Sequence, residues 1–310
     1  SAMLALTGVL PVLSTPFTDD DRIDTTALGR QIDHVLAQEA DGVTLAMVSE
    51  ILRLDISERR ALAEATVAAV DGRASVITSV GADATALATA LTAHAVEIGA
   101  TAVMANPPLT TTPSDEELLS YYRAIADAAD TLPLIVQDAS GYVGTPIPLD
   151  VLATLLGEYG PEKIQFKPEA DPLGPRLTLL HDLSGGTARV FEGSGGRALI
   201  DSYHRGIVGT MPGPDLVPTL VSLWKALRAG DDERAYRLQE ALAPLLSLVS
   251  SLDSYVAIEK YLLVVQNVIP SARQRGPVSY RLDSDTAREA RTLWERLHRT
   301  TALTREDTIE

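Results

Sequence analysis

The sequence predicts a (β/α)8 barrel followed by a C-terminal helical extension. Between residues 8 and 211, short apolar runs alternate with longer segments of helical spacing. These runs are apolar on both faces, which is typical of parallel strands covered by helices. After about residue 214 the strand-like runs stop and only helical patterns continue. Together these observations predict a barrel over 3–229, a helical extension over 230–300 and a tail over 301–310.

Residue spacing and capping patterns predict the individual helices and strands. Leu28, Ile32 and Val35 follow helical spacing, and Ser114 precedes Glu117 by three residues, as in a capping box at the start of a helix. The helical segments beyond the last strand are 214–229, 231–250, 253–268 and 283–300. The predicted strands are 8–15, 42–48, 75–80, 101–106, 132–138, 163–167, 189–193 and 206–211.

Composition and charge restrict the function. The chain has 310 residues, no cysteine and a net charge of −16, so disulfides and thiolate metal sites are excluded. A surface this acidic argues against nucleic-acid binding, and an anionic substrate needs local donors. Without an apolar run of 18 residues we predict no membrane span and a cytoplasmic protein. No cofactor or metal is predicted, since no GxG-type loop follows the first strand and the five histidines lack paired ligand spacing.

One lysine stands at the end of an otherwise apolar strand. In KIQFKPEA, Lys167 follows Ile164 and Phe166 and precedes Pro168. Burying a polar group without a hydrogen-bond partner costs about 2–7 kcal/mol. Burying an ammonium ion costs more, unless it is paired or neutralised. Two interpretations are open: a strand-end lysine that reaches solvent, or an amine kept for covalent chemistry. Barrels of this class carry their chemistry at the carboxyl ends of the strands, where Lys167 lies.

Five stretches together resemble one family. They are GVLPVLSTPFTDDDRID, VSEILRLDISERRAL, VITSVGADATALATALTAHAVEIGATAVMANPP, LPLIVQDASGYVG and KIQFKPEA. They are similar, in order, to segments of the dihydrodipicolinate synthase / N-acetylneuraminate lyase family of class I aldolases, over about residues 8–213. The resemblance implies that Lys167 forms a Schiff base with a 2-oxo acid such as pyruvate. It also implies a homo-oligomer, tetramer or dimer.

The departures from the family pattern narrow the activity. Gln137 stands where the family has its catalytic tyrosine, Met47 and Val48 replace two threonines, and NPPLTTTP lacks the family's tyrosine pair. Tyr142 occupies the position of an arginine that binds a dicarboxylate product. Without these hydroxyls, dihydrodipicolinate synthesis and sialic acid cleavage are disfavoured. The pattern resembles the 2-keto-3-deoxy sugar-acid dehydratases of the superfamily, with a pyruvate-dependent aldolase or a synthase-like enzyme as the alternative.

Several further residues are candidates at the strand ends. The general acid–base group is predicted among Glu192, Asp138 and Glu50, with a bound water or the substrate carboxylate as the alternative. Glu192 is ranked first because it ends the strand next to the one that carries Lys167. Gln137, which cannot titrate, is predicted to orient the substrate. The predicted substrate contacts are Ser49, Val48, Glu50, Asp138, Gly193, Ser194 and Met211.

Structural interpretations compete with these assignments. Glu50 is also interpreted as a loop-stabilising carboxylate, Asp138 as a residue that points into its loop, and the glycines of FEGSGG as a tight turn. Lys260 falls on an extension helix and is interpreted as a surface cation. A homologue that binds 2-oxo acids without turnover is the second hypothesis, because the tyrosine relay is lost.

Overall fold

A computed structural model, which describes residues 5–306, contains eight parallel strands closed into a barrel. They are β1 Gly8–Val9, β2 Gly42–Thr44, β3 Ser75–Ser79, β4 Ala102–Ala105, β5 Leu134–Asp138, β6 Ile164–Pro168, β7 Phe191–Glu192 and β8 Gly209–Thr210. Strands β2 to β6 pair in sequence order, and β8 pairs with both β1 and β7. Bridges from Val12 to Thr44 and from Phe166 to Val190 join the two sheets. The predicted barrel is therefore confirmed; residues 3–4 of its predicted span and 307–310 of the tail lie outside the described residues.

Helices alternate with these strands and then continue alone. The helices are α1 Thr25–Ala37, α2 Ile56–Val70, α3 Thr85–Ile98, α4 Asp115–Ala128, α5 Leu149–Tyr159, α6 Leu173–Leu183, α7 Leu199–His204, α8 Val217–Ala229, α9 Asp232–Leu246, α10 Leu252–Val265 and α11 Ser284–Glu306. Ser114 caps α4 by accepting from the Glu117 amide, which bears out the predicted start. Helix α11 continues to Glu306, beyond the predicted end at 300. Within residues 5–306, no helix is long and apolar enough to cross a membrane.

Alternation along the strands separates two apolar layers. Side chains such as Ile135 and Phe191 fill the inside of the barrel, in a cluster that also contains Met104 and Met211. Their strand neighbours Val136 and Val190 pack outward, in the larger cluster between strands and helices. Because successive side chains alternate between faces, this assignment fixes which strand-end residues face the barrel axis.

Helix α10 of the extension is attached to the carboxyl ends of β1 and β2 by buried ions. Lys260 is fully buried, and its Nζ lies 2.6 Å from Glu50 Oε2. The same ammonium donates to the carbonyls of Thr15 and Arg273, each at 2.7 Å. The interpretation of Lys260 as a surface cation is therefore wrong, because a carboxylate and two carbonyls from distant segments replace its water. Burial lowers the pKa of Lys260, and the Glu50 carboxylate opposes that shift.

A second ion pair reinforces this attachment. Arg53, which follows β2, donates to both carboxylate oxygens of Asp253 on α10, at 2.7 and 2.9 Å. The bidentate geometry fixes the orientation as well as the distance of the two groups. The first turn of α10 is thereby held over the carboxyl ends of the barrel strands, where a barrel carries its chemistry.

Candidate active site

Lys167 lies inside the mouth of the barrel and is almost fully buried. Gln137 on β5 is its register partner across the strand pair, and both side chains belong to the inward face that Ile135 shares. The Lys167 Nζ is 3.0 Å from Glu169 Oε1. The solvent-reaching alternative for Lys167 is therefore wrong. The amine is paired with a carboxylate and is not surrounded by apolar groups alone.

Glu169 is the functional candidate that the sequence analysis did not select. Its Oε1 accepts from Gln137 Nε2 at 3.1 Å in addition to facing Lys167. Its backbone is fixed by two bonds to the segment that follows β5, from its amide to the Asp138 carbonyl and from the Gly141 amide to its own carbonyl. The spacing in the sequence indicates this contact. Residues two apart on a strand share a face, so the side chains of Lys167 and Glu169 are expected on the same side.

Gly193, at the end of β7, leaves the space that these two side chains occupy. A methyl group at this position would lie 2.6 Å from Lys167 Cε and 2.7 Å from Glu169 Cγ. Both distances are shorter than real contacts between carbon atoms. Gly193 therefore borders the site as predicted, and its role is steric.

A cavity of about 400 Å³ opens beside these residues. Glu169 and Gly193 line it together with two tyrosines, Tyr142 from the loop after β5 and Tyr255 from α10. Burial raises the pKa of Tyr142 to about 12, with a further contribution from Glu169. Among the lining residues in the described chain, Arg197 is the one cationic side chain. The cavity thus offers two carboxylates (Glu169 and Asp171), two phenols and a guanidinium to a small polar ligand.

Glu192 does not face Lys167. It lies between Phe191, which points into the barrel, and Gly193, which touches Lys167, so strand alternation turns the Glu192 side chain to the other face. Its Oε1 accepts from the Ser194 amide at 2.5 Å, and its Oε2 accepts from Thr210 Oγ1 at 2.9 Å. Burial raises the pKa of Glu192. These two bonds make Glu192 an anchor of the turn after β7, which argues against the predicted general acid–base role.

Three predicted substrate contacts are held in internal bonds. The Ser49 hydroxyl donates to the Leu13 carbonyl at 2.6 Å, and the Ser49 amide donates to the Ala46 carbonyl at 2.9 Å. Asp138 accepts from the amides of Ser140 and Ile147 and so holds the loop after β5, which is the competing interpretation. The Glu50 carboxylate forms the buried ion pair with Lys260. These residues shape the site, and their donors and acceptors are not directed at the cavity.

The other predicted contacts divide between the cavity wall and the layer beneath it. Ser194 lines the cavity, where its Oγ also accepts from the Ala198 amide at 2.9 Å. Met211 is buried in the barrel interior, and Val48 packs against that same layer. These two residues support the floor of the site and do not line the cavity.

Comparisons with known proteins identify the family of the chain. A sequence model of the dihydrodipicolinate synthetase family matches residues 5–293, which confirms the resemblance drawn from the motifs. The L-2-keto-3-deoxyarabonate dehydratase of Azospirillum brasilense is 29% identical over 298 residues, 94% of each chain. A probable 2-dehydro-3-deoxy-D-pentonate aldolase of Escherichia coli K12 is 27% identical over 84% of this chain and 87% of its own. The solved 4-hydroxy-tetrahydrodipicolinate synthase of Methylacidiphilum fumariolicum SolV has the same fold, with a TM-score of 0.87 at 22% identity over 97% of this chain and 99% of that one.

Proposed function

The chain belongs to the dihydrodipicolinate synthetase family and is a lyase, and from this premise we propose that it dehydrates a 2-keto-3-deoxy sugar acid through a Schiff base on Lys167. The observation that carries the proposal is the contact of 3.0 Å between Lys167 Nζ and Glu169 Oε1 inside the barrel mouth. The same carboxylate oxygen is steadied by Gln137. A nucleophilic amine with an adjacent proton acceptor is the arrangement that covalent carbonyl chemistry requires.

The chemistry follows from this cluster. Lys167 attacks the C2 carbonyl after Glu169 takes a proton from its ammonium. Glu169 returns that proton to the carbinolamine hydroxyl, which leaves as water, so an iminium forms and the Glu169 carboxylate is restored. The iminium withdraws electrons from C3, so a C3 proton passes to Glu169 and the C–H electron pair forms an enamine. The enamine electrons then form the C3–C4 double bond as hydroxide leaves C4. Hydrolysis of the iminium frees Lys167 and the dehydrated 2-oxo acid.

Dehydration fits the side chains better than dihydrodipicolinate synthesis. Gln137 stands at the position of the family's catalytic tyrosine, and it bonds Glu169 instead of carrying a proton. The Azospirillum brasilense relative, aligned over 94% of both chains, is a 2-keto-3-deoxyarabonate dehydratase. Arg197 supplies the cation that an anionic sugar acid needs in a protein with a net charge of −16.

Borohydride trapping tests the covalent step. Reduction in the presence of pyruvate is expected to add one reduced pyruvate to Lys167, located by peptide mass spectrometry, and to add none in Lys167→Met. A panel of 2-keto-3-deoxy pentonates and hexonates, including L-2-keto-3-deoxyarabonate, then identifies the substrate by loss of one water. An adduct on another lysine, or no adduct, contradicts the proposed mechanism.

Aldol cleavage is the second candidate, favoured by the similarity to the Escherichia coli aldolase. It uses the same iminium but removes the C4 hydroxyl proton and breaks the C3–C4 bond. The panel separates the two reactions, because an aldolase splits the substrate and releases pyruvate, whereas a dehydratase keeps all the carbon atoms in one product. Adduct formation without either product identifies the non-catalytic homologue.

Gly193→Ala is expected to slow trapping of Lys167 by pyruvate about 10–100-fold, because the new methyl displaces the Lys167 and Glu169 side chains from their reactive positions. The readout is the rate of adduct formation under borohydride. Gly157→Ala on α5 is the control, since a methyl there meets nothing within 4 Å. That control is expected to trap pyruvate at the unmodified rate and to be more stable by about 1 kcal/mol. Equal trapping rates in the two variants contradict the steric role of Gly193.

The remaining aspects of the chain stay predictions. The partner is a small-molecule 2-oxo acid, and the acidic surface disfavours nucleic acid. The homo-oligomeric state, tetramer or dimer, and the cytoplasmic location depend on the resemblance and the composition.

A further inference from the structure

Oxygen atoms of two carboxyl groups and one phenol, from two segments of the chain, converge on the space beside Gly213. A methyl group built on Gly213 would lie 2.5 Å from Asp215 Oδ1, 2.9 Å from the Tyr255 hydroxyl and 3.1 Å from Glu259 Oε2. Gly213 and Asp215 follow β8, whereas Tyr255 and Glu259 are one turn apart on α10. A residue other than glycine could not occupy position 213 while these groups converge there.

The two carboxylic acids of this cluster are buried, and within residues 5–306 neither forms an ion pair. Glu259 is 2% exposed, and neither of its oxygens has a hydrogen-bond partner within residues 5–306. Asp215 is 6% exposed. Lys260 follows Glu259 on the helix, but its ammonium is already paired with Glu50 at 2.6 Å. Buried carboxyls that lack a cation of their own keep their protons.

The direction of the pKa shifts agrees with this geometry. Burial raises the pKa of Asp215 to about 7. Burial, together with Asp215, raises the pKa of Glu259 well above its ordinary range, and Lys260 opposes the shift. Burial also raises the pKa of Tyr255, and the electrostatic contributions of Glu259, Asp215, Tyr142 and Glu192 act in the same direction. The burial of Glu259 without a hydrogen-bond partner and the direction of this shift both favour its protonated form, and its Oε2 approaches the same point as the Tyr255 hydroxyl.

Tyr255 connects this cluster to the cavity. Its side chain lines the same cavity as Glu169, and its hydroxyl lies 3.5 Å from the position of a methyl group on Gly195. Gly193, two residues earlier in the same turn, contacts Lys167 and Glu169. The Tyr255 hydroxyl makes no hydrogen bond to another residue of the described chain. A phenol with a proton source behind it thus faces the ligand space beside the Lys167 cluster.

We propose that Tyr255 is the general acid that protonates the hydroxyl group leaving C4, and that Glu259 and Asp215 restore its proton. The inference deepens the proposed function and depends on it. Glu169 takes the C3 proton; as the C4–O bond breaks, the oxygen keeps the electron pair and receives the Tyr255 proton, so water leaves. The resulting phenolate takes a proton from Glu259, Asp215 passes its proton to the Glu259 carboxylate, and water reprotonates Asp215. Hydroxide is a much stronger base than phenolate, so even a phenol of raised pKa donates to it.

The proposal assigns the two proton transfers to different sides of the site. Gln137 cannot titrate, and Glu169 already holds the proton from C3. Gln137 replaces the family's catalytic tyrosine on β5. In this proposal Tyr255 on α10, a helix of the extension, supplies the hydroxyl group instead. The ion pairs of Glu50 with Lys260 and of Arg53 with Asp253 hold that helix in place.

Tyr255→Phe tests the assignment by separating the two proton transfers. Dehydration of L-2-keto-3-deoxyarabonate, or of the 2-keto-3-deoxy acid that the panel selects, is expected to fall at least ~10²-fold. Trapping of Lys167 and exchange of the pyruvate methyl protons in D₂O are expected to stay within a few fold, because neither involves a leaving group at C4. Elimination from the 4-fluoro analogue is expected to fall far less, since fluoride leaves without a proton. Tyr236→Phe on α9, an exposed tyrosine, is the matched control and is expected to change none of these rates.

Glu259→Gln tests the proton supply. It is expected to lower kcat for dehydration about 10-fold and to remove the alkaline fall-off set by Glu259 deprotonation, whereas a structural role would leave the shape of the pH profile unchanged. Wild-type dehydration by Tyr255→Phe, or equal losses on the hydroxyl and fluoro substrates, overturns the proposal. Failure of the unmodified enzyme to trap or exchange pyruvate overturns the proposed function itself, and with it this inference.

Discussion

Glu169→Gln is expected to lower the exchange of pyruvate methyl protons in D₂O by about 10²–10⁴-fold while Lys167 can still be trapped by borohydride. The amide keeps the shape of the carboxyl and can still bond Gln137, but it cannot accept a proton from C3 of the iminium. Proton NMR of the methyl signal measures the exchange, and peptide mass spectrometry measures the adduct. Dehydration of the sugar acid is expected to fall by a similar factor, because it needs the same proton transfer.

Glu192→Gln is the matched control, because it makes the same substitution at the end of the next strand. The Glu192 oxygens accept from Ser194 and Thr210, and the side chain lies on the strand face opposite to Gly193. We expect its exchange rate to stay within a few fold of the unmodified enzyme. If Glu192→Gln loses exchange and Glu169→Gln keeps it, the assignment of the base returns to Glu192.

Local patterns were sufficient to predict the barrel and the position of Lys167 at a strand end. Short apolar runs and intervening helical spacing depend on neighbouring residues, so they located all eight strands, although the hydrogen-bonded parts are shorter than the runs. The position of Lys167 at a strand end follows from the same pattern. The position of Glu169 followed too, because alternation places residues 167 and 169 on one face. The predicted strand ends at Lys167, whereas β6 extends to Pro168, directly before Glu169.

The remaining site depends on contacts between distant segments. Glu192 was placed beside Lys167 by strand order alone, and strand order does not specify which face a side chain occupies in a strand of two residues. The free donors predicted for Ser49 are bonded to Leu13 and Ala46, in a turn whose geometry no spacing rule describes. Tyr255 reaches the cavity from a helix about 90 residues after Lys167. No pattern within α10 indicates that one of its turns faces the barrel mouth.

The burial of Lys260 leads to the largest expected effect on stability. Lys260→Met removes the cation that faces Glu50 and leaves that carboxylate buried beside unpaired carbonyls of Thr15 and Arg273. Removal of one partner of a buried pair typically lowers the free energy of unfolding by about 3–5 kcal/mol. Methionine has a similar length and is apolar, so the loss comes from the uncompensated charge more than from a cavity. A lower urea midpoint at an unchanged slope is the expected measurement.

An exposed pair and a double variant isolate the cause of this loss. Lys225→Met removes the same charge at a surface pair with Glu39, whose side chains are 55% and 64% exposed, and we expect a loss of at most about 1 kcal/mol. Adding Glu50→Gln to Lys260→Met replaces the unpaired buried carboxylate with a neutral amide. The double variant is expected to recover part of the lost stability, because a neutral amide costs less to bury than a charge. Equal losses for Lys260→Met and Lys225→Met would contradict the burial argument. No recovery in the double variant would instead assign the loss to the bonds with Thr15 and Arg273. Because α10 carries Tyr255, the same measurement reports how firmly the extension is held over the barrel mouth.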